Sequence, residues 1–366
     1  QEILENSNIM TQYMIYLENH KDIAEDAKKR ILTTVVTDYI AKSEYTYDTS
    51  DPAYSQVINI LYENMKAENQ IAKKEVETTA KTVETTVKNN EKNNNKKKEN
   101  KAIVPMPKKS GKLYTEKNIG SFKEVINRFY TVTNATTIKE SDMPIKQALN
   151  KEFKITGNNK KPQILIYHTH SMEDFSNTTK DEDTTIIGVG NRLAQILREQ
   201  FGYNVIHDKT KYDIVNGKLD RHEAYTQSKA GVKKQLKKYP SISLILDIHR
   251  DGVNDGTRLV TEINGKKTAQ IMFFNGMSRF KLSGDIDYLK NPYRFENLAL
   301  GLQMKVNAEC YYPGFTRRNY VNAYEYNLSL GKQCMLIEVG AQTNTYQEAK
   351  NAAEPLAVLI KKVLGE

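Results

Sequence analysis

From Ile164 to the C-terminus, short apolar runs alternate with amphipathic stretches, and this constrains the fold more than any other feature of the chain. "ILIYHTH" (164–170), "YNVIH" (203–207), "ISLILDIH" (242–249) and "QCMLIEVG" (333–340) have strand length and strand composition. "TIIGVGNRLAQILREQF" (185–201), "QSKAGVKKQLKKYP" (227–240), "NPYRFENLALGLQMKVNAE" (291–309) and "YQEAKNAAEPLAVLIKKVL" (346–364) carry helical periodicity and stop signals. In 258–274, Asn264-Gly265 marks a hairpin turn. Strands separated by helices of this length imply right-handed βαβ crossovers, hence an α/β fold with a largely parallel sheet flanked by helices. Gly188-Val189-Gly190 is not a dinucleotide fingerprint: it lacks the third glycine, and close helix packing explains it.

The N-terminal part reads differently. Residues 1–66 show three helix-like apolar faces, around Ile9–Leu17, Ile31–Ile40 and Val57–Met65, and form a mainly α-helical region. Residues 67–113 contain "KNNEKNNNKKKENK" (88–101), which has nothing apolar to bury and repels itself. Such a stretch does not offset the entropy lost on ordering, so 67–113 reads as a disordered linker. A nucleic-acid tail is disfavoured because no aromatic residues are interleaved for stacking. Residues 114–160 form a helical lead-in with one helix at "IGSFKEVINRFY", and 161–366 form the α/β domain. Brief proteolysis is expected to cut within 67–113 and leave a stable C-terminal fragment; resistance of that tract would sink the division.

The excess of 54 Lys+Arg over 45 Asp+Glu, a net +9, suits an anionic partner, though the lysine-rich tract carries most of it. Two cysteines, Cys310 and Cys334, are too few for a disulfide framework and do not reveal the compartment. No stretch reaches the roughly 18 apolar residues of a membrane span. The sequence begins at Gln1, so an anchor before it stays open.

Three of the apolar strands close on metal-capable groups: His168 and His170, His249, and Glu338. In an open α/β sheet, ligands gather at the carboxyl ends of the strands, and parallel strands bring these ends to one rim. Strand alternation puts His168 and His170 on the same side, and Glu173 lies three residues on. Two imidazoles, a carboxylate and water make an open catalytic zinc site, which needs a further carboxylate as base. His170, Glu173 and His249 are the candidate metal ligands and Glu338 the candidate base. Which of His168 and His170 binds the metal stays open. His207 and His222 read as hydrogen-bonded structural residues.

"ILIYHTHSMEDF", "LILDIHRDG", "YPGFTRRNYVNAYEYN" and "MLIEVGAQTNTYQEA" keep an order and spacing that resemble the stage II sporulation protein P family, over about residues 118–366. The resemblance implies an amidase-3-like mixed sheet and a Zn2+-dependent N-acetylmuramoyl-L-alanine amidase. Such an enzyme hydrolyses the lactyl–L-alanine amide of peptidoglycan, with cleavage of peptide cross-links as a second activity. HTH stands where such amidases carry a glycine-rich GHGG, and matching "IYHTH" to that segment favours His170. The helix-borne glutamate ligand of such amidases is missing, and Glu173 takes its place. Within this reading Arg250 assists catalysis at the oxyanion, pairs with Asp251 or binds a stem-peptide carboxylate. His168 orients a ligand or contacts substrate, and Arg317, Arg318 and Asn327 line the substrate groove. The family setting implies forespore engulfment, with the enzyme outside the cytoplasm between mother cell and forespore. It also implies an N-terminal membrane anchor absent from this sequence, and stage II sporulation protein D lytic transglycosylase and sporulation protein M as partners. Two other classes stay open: a non-catalytic peptidoglycan-binding scaffold, and a non-haem iron oxygenase, which the parallel α/β pattern disfavours.

Overall fold

The computed structural model describes residues 104–365. The helices expected over 1–66, and the linker up to residue 103, lie outside the described residues. Residues 104–113, the last ten assigned to the linker, are held to the rest of the described chain at a few points. Val104 is buried, and its N–H and C=O both bond the Gln200 side chain, at 2.8 and 2.7 Å. The N–H groups of Ser110 and Gly111 both donate to the Cys310 carbonyl. Val104, just after the lysine tract, has apolar surface to bury, which lysine counting obscures. Cleavage is therefore expected before Val104.

Helix α1 (Phe122–Phe129) opens with a reciprocal capping box between Ser121 and Glu124. It feeds β1 (Tyr130–Val132), and α2 (Ile145–Asn150) follows. Then come β2 (Ile164–Tyr167), α3 (Ile186–Glu199), β3 (Val205–His207), α4 (Arg221–Lys238), β4 (Leu244–Asp251), β5 (Ile271–Gly276), α5 (Arg294–Tyr311), β6 (Asn319–Asn322), β7 (Cys334–Ala341) and α6 (Tyr346–Leu364). The expected hairpin is present, Val260–Ile263 against Lys266–Ala269, with Asn264 and Gly265 at φ 51° and 71° as a tight primed turn requires.

The seven strands form one sheet in the order β1-β6-β5-β7-β4-β2-β3. Every neighbouring pair is parallel except β5 and β7, so the sheet is mixed and largely parallel. Strands β2, β4 and β7, which carry the candidate ligands and base, are mutually parallel and bring their carboxyl ends together. Sequence patterning missed β1 and β6, which are short and half polar.

One face of the sheet is apolar and packs against α3, α5 and α6, through residues such as Ile166, Leu246, Ile337, Leu193, Leu302 and Leu356. On the other face, Val232 of α4 and the turn at Leu328 pack over Leu165, Ile245 and Leu336. One cross-strand row on this second face reads Thr131, Tyr320, Phe274, Leu336, Asp247, Tyr167. Beyond Leu336 that row is partly exposed at Phe274 and Tyr320. Among the described residues no helix is long and apolar enough to cross a membrane.

Candidate metal centre

Strand β2 stops at Tyr167, and His168 to Met172 form a turn. Strand alternation therefore does not extend to the two histidines, and the structure sends them to different partners. His168 is fully buried. Its Nδ1 lies 2.7 Å from the Ile248 carbonyl, which can only accept, and its Nε2 lies 2.9 Å from His207 Nε2. Burial holds both imidazoles below their ordinary pKa, His207 at about 2. Gly190 makes room for this pair: a Cβ there would sit 2.7 Å from His168 Nε2 and 2.6 Å from His207 Nε2. Close packing thus accounts for the second glycine of the 188–190 segment.

His170 turns the other way and joins Glu173 and His249. Ligand-capable atoms of the three lie within 4.8 Å of one another. His170 Nδ1 is 3.6 Å from Glu173 Oε1, and His249 Nδ1 is 3.9 Å from Glu173 Oε2. Such spacings approach the tetrahedral edge of about 3.4 Å set by zinc–nitrogen and zinc–oxygen bonds. His170 Nε2 and Glu338 Oε2 are buried without a hydrogen-bond partner, an expensive arrangement unless a ligand satisfies them. The residues present fit a metal ion.

The loop bearing His170 and Glu173 is pinned from several sides. Fully buried Asp213 accepts from Ser171 Oγ and, at 3.0 Å, from the Met172 N–H. Glu173 Oε2 accepts the Arg250 backbone N–H at 2.8 Å, and the Glu173 carbonyl accepts the Ile186 N–H that opens α3. Burial works against the Glu173 carboxylate, but hydrogen bonds from His170 and His249 and their surrounding charge outweigh it and hold its pKa well below the ordinary value.

His249 is oriented by Asp247, two residues back on the same face of β4. Asp247 Oδ1 is 2.9 Å from His249 Nε2, although off the line of a straight N–H bond. Asp247 also accepts from the Thr169 N–H at 2.8 Å and from Thr169 Oγ1 at 2.5 Å. Thr169 Oγ1 lies 3.0 Å from Ser228 Oγ, and Asn327 Nδ2 lies 3.0 Å from the same hydroxyl. A carboxylate behind a ligating imidazole fixes its tautomer and raises its basicity. Burial disfavours the imidazolium of His249, but Asp247 and Glu173 override it and hold its pKa well above the ordinary value. Asp247, Thr169, Ser228 and Asp213 escaped sequence reading. For Asp247 the period-two spacing to His249 was the available signal.

Glu338 stands beside His249 in register on β7. The residue keeps some exposure, yet Oε2 is wholly shielded, and burial pushes the carboxyl up to about 8. Arg250 is buried, and its Nε donates to the Asp174 carbonyl at 3.0 Å, so it ties down the ligand loop. Asp251 pairs with Arg317. Arg318 bonds the carbonyls of Ile126 and Tyr130, at α1 and β1. Asn327 is buried, bonding the Tyr225 carbonyl and Ser228. The structure thus joins His170, Glu173, His249 and Glu338, and gives His168, Arg318 and Asn327 partners within the fold. The side chain of His222 is outside the described residues.

The titration pattern sets an expectation for the metal-free protein. Between pH 5 and 8 folded Glu338 keeps a proton that the unfolded chain, at an ordinary value of 4.5, has released. At this group folding takes up a proton, a contribution to stability that is lost as pH rises through the window. His249 adds the same sign above its ordinary 6.5. His168 and His207, held neutral in the fold, act with the opposite sign below their ordinary 6.5, so thermal midpoints of chelator-treated protein should decline only from about pH 7 to pH 8; a rising midpoint there would contradict the assignment.

A family model described as Stage II sporulation protein P (SpoIIP) matches residues 28–361. The chain is similar to the Stage II sporulation protein P of Bacillus subtilis (strain 168), with 27% identity over 213 residues, covering 54% of this chain and 50% of that protein. The chain's match therefore spans about half the length of that curated relative. Among solved structures it is similar to the N-acetylmuramoyl-L-alanine amidase from Clostridium difficile 630, with 14% identity, 55% of this chain and 97% of that chain covered, and a TM-score of 0.31. With the family match running through nearly the whole sequence, the chain belongs to the stage II sporulation protein P family.

Proposed function

We propose that the chain is a zinc-dependent N-acetylmuramoyl-L-alanine amidase that cuts peptidoglycan during forespore engulfment. The observation that carries this reading is the cluster of His170, Glu173 and His249 with the partnerless Glu338 carboxyl beside it. Two nitrogens and one carboxylate oxygen are the donor set of an open hydrolytic zinc site. Bound there, Zn2+ supplies a water acidified toward neutrality and a Lewis acid for the amide oxygen. Glu338 takes the proton of the attacking water. As the carbon–nitrogen bond breaks, Glu338 hands that proton to the leaving alanine amine, so the carboxylate is regenerated each cycle. Asp247 holds the His249 ring, and Asp213 and Arg250 hold the loop that carries the other two ligands.

The family setting supports an extracytoplasmic location behind a membrane anchor, with sporulation protein D lytic transglycosylase and sporulation protein M as partners. Cleavage of peptide cross-links belongs to the same proposal. The test is mass spectrometry of purified peptidoglycan after digestion, beside metal analysis of protein purified without added metal. Release of stem peptides with free L-alanine amino termini, together with bound zinc, is the expected result. Peptidoglycan binding without any product would leave a scaffold instead.

A further inference from the structure

The metal centre continues into a series of aromatic rings that the catalytic reading does not use. From His170 the ring centroids step 5.5 Å to Tyr225, then 5.7 Å to Tyr326, then 4.6 Å to Phe274, with Tyr320 5.2 Å beyond. Tyr324 branches from Tyr326 at 6.3 Å and is 42% exposed, so the series reaches solvent. All five rings keep some exposure. They come from α4, β5, β6 and the segment after β6, separated by as much as 100 residues of sequence, so tertiary structure assembles the series. Phe274 and Tyr320 are register partners on the sheet face that also carries Asp247 and, two residues on, His249.

The segment after β6 is built to hold its ring in place. Tyr326 and Asn327 have φ of 52° and 58°, a conformation that is a genuine outlier for a bulky side chain. Backbone strain of this kind persists where the surroundings over-determine it, and it clusters at ligand sites. Here buried Glu325 accepts from Lys229 at 2.6 Å and from Ser329, while buried Asn327 bonds the Tyr225 carbonyl and Ser228. Two rings of the series, Tyr225 and Tyr326, are thereby locked to one another.

We propose that Tyr225, Phe274, Tyr320, Tyr324 and Tyr326 form a platform for the glycan strand, a chain of β-linked amino sugars, leading to the metal centre. This rests on the peptidoglycan hydrolase reading and assigns it a sugar subsite. A pyranose ring presents a face of C–H groups that packs on the negative face of an aromatic ring, while tyrosine hydroxyls reach its rim. The chain has no tryptophan, so tyrosine and phenylalanine must supply any such stacking. Charge selects the sugar over the stem peptide. The outer row Thr131–Tyr320–Phe274 is uncharged, and Arg317, the cation at its edge, is paired with Asp251. Peptide carboxylates would require cations that this row lacks, whereas a neutral glycan does not.

The test is calorimetric binding of a β-1,4-linked N-acetylglucosamine tetrasaccharide and, separately, of a free stem tripeptide to the full chain. Tyr324→Ala, Tyr320→Ala and the milder Tyr320→Leu are compared with the unaltered protein, alongside metal content and hydrolysis of whole peptidoglycan. Loss of one stacked ring is expected to weaken tetrasaccharide binding about tenfold, with metal content unchanged in Tyr324→Ala. No tetrasaccharide binding by the unaltered protein, or equal binding by all variants, overturns the platform, and hydrolysis then judges the hydrolase reading separately. Weakened tripeptide binding with sugar binding intact also overturns it, in favour of a peptide subsite. Sugar binding weakened by the variants in a protein that hydrolyses nothing supports the platform and overturns only the hydrolase reading.

Discussion

Glu338→Gln is expected to keep near-normal zinc and peptidoglycan binding while releasing stem peptides about 10²–10⁴-fold more slowly, the usual loss on removing a general base. The amide preserves the shape and a hydrogen bond to water but cannot take its proton. Glu338 is suited to this role because its shielded Oε2 has no hydrogen-bond partner and it stands in register beside His249. Glu173→Gln is expected to behave differently. Its carboxylate is held ionised between two imidazoles, and a neutral amide there is a poor metal ligand, so zinc and activity fall together. Single-turnover product release and metal content, measured on both variants, separate base from ligand. If Glu338→Gln loses zinc while Glu173→Gln retains it, the two roles are exchanged. Full activity in Glu338→Gln would remove the base assignment altogether.

His249→Ala is expected to leave a folded protein that has lost most of its zinc and all measurable hydrolysis. His249 offers one of the three candidate donors, and both partners of its ring, Asp247 and Glu173, are buried. A catalytic metal adds less to folding than a structural one, so circular dichroism should be retained. Asp247→Asn grades the same effect: the ring stays but its orienting charge goes, and losses behind a ligand run to about 10–100-fold in metal affinity. The ordering is therefore unaltered protein, Asp247→Asn, His249→Ala. Full zinc occupancy in His249→Ala would strike that residue from the ligand set.

Periodicity carried the architecture. The apolar runs at 164, 242 and 333 became β2, β4 and β7, and Asn264-Gly265 became the hairpin turn, because strand burial and primed turns leave direct marks on composition. The candidate cluster was legible for the same reason, since parallel strands must bring their carboxyl ends to one rim. Reading failed where local pattern does not report geometry. The alternation projected through "HTH" ended with the strand at Tyr167, which sent His168 to His207 and His170 to Glu173. Residues 104–113 looked like linker by charge, yet Val104 is tied to Gln200.

The chain's own order of residues determined most of the elements, that the sheet is largely parallel, and that histidines and a glutamate lie near the carboxyl ends of three strands. These follow from period, burial and capping, all of which act over a few neighbouring residues. Only the tertiary structure decided which histidine faces the candidate metal centre, that Asp247 stands behind His249, and that five aromatic rings from three distant segments gather beside it. Those depend on side-chain direction after a strand ends and on contacts between residues up to about a hundred positions apart, for which a linear sequence carries no local energetic signature.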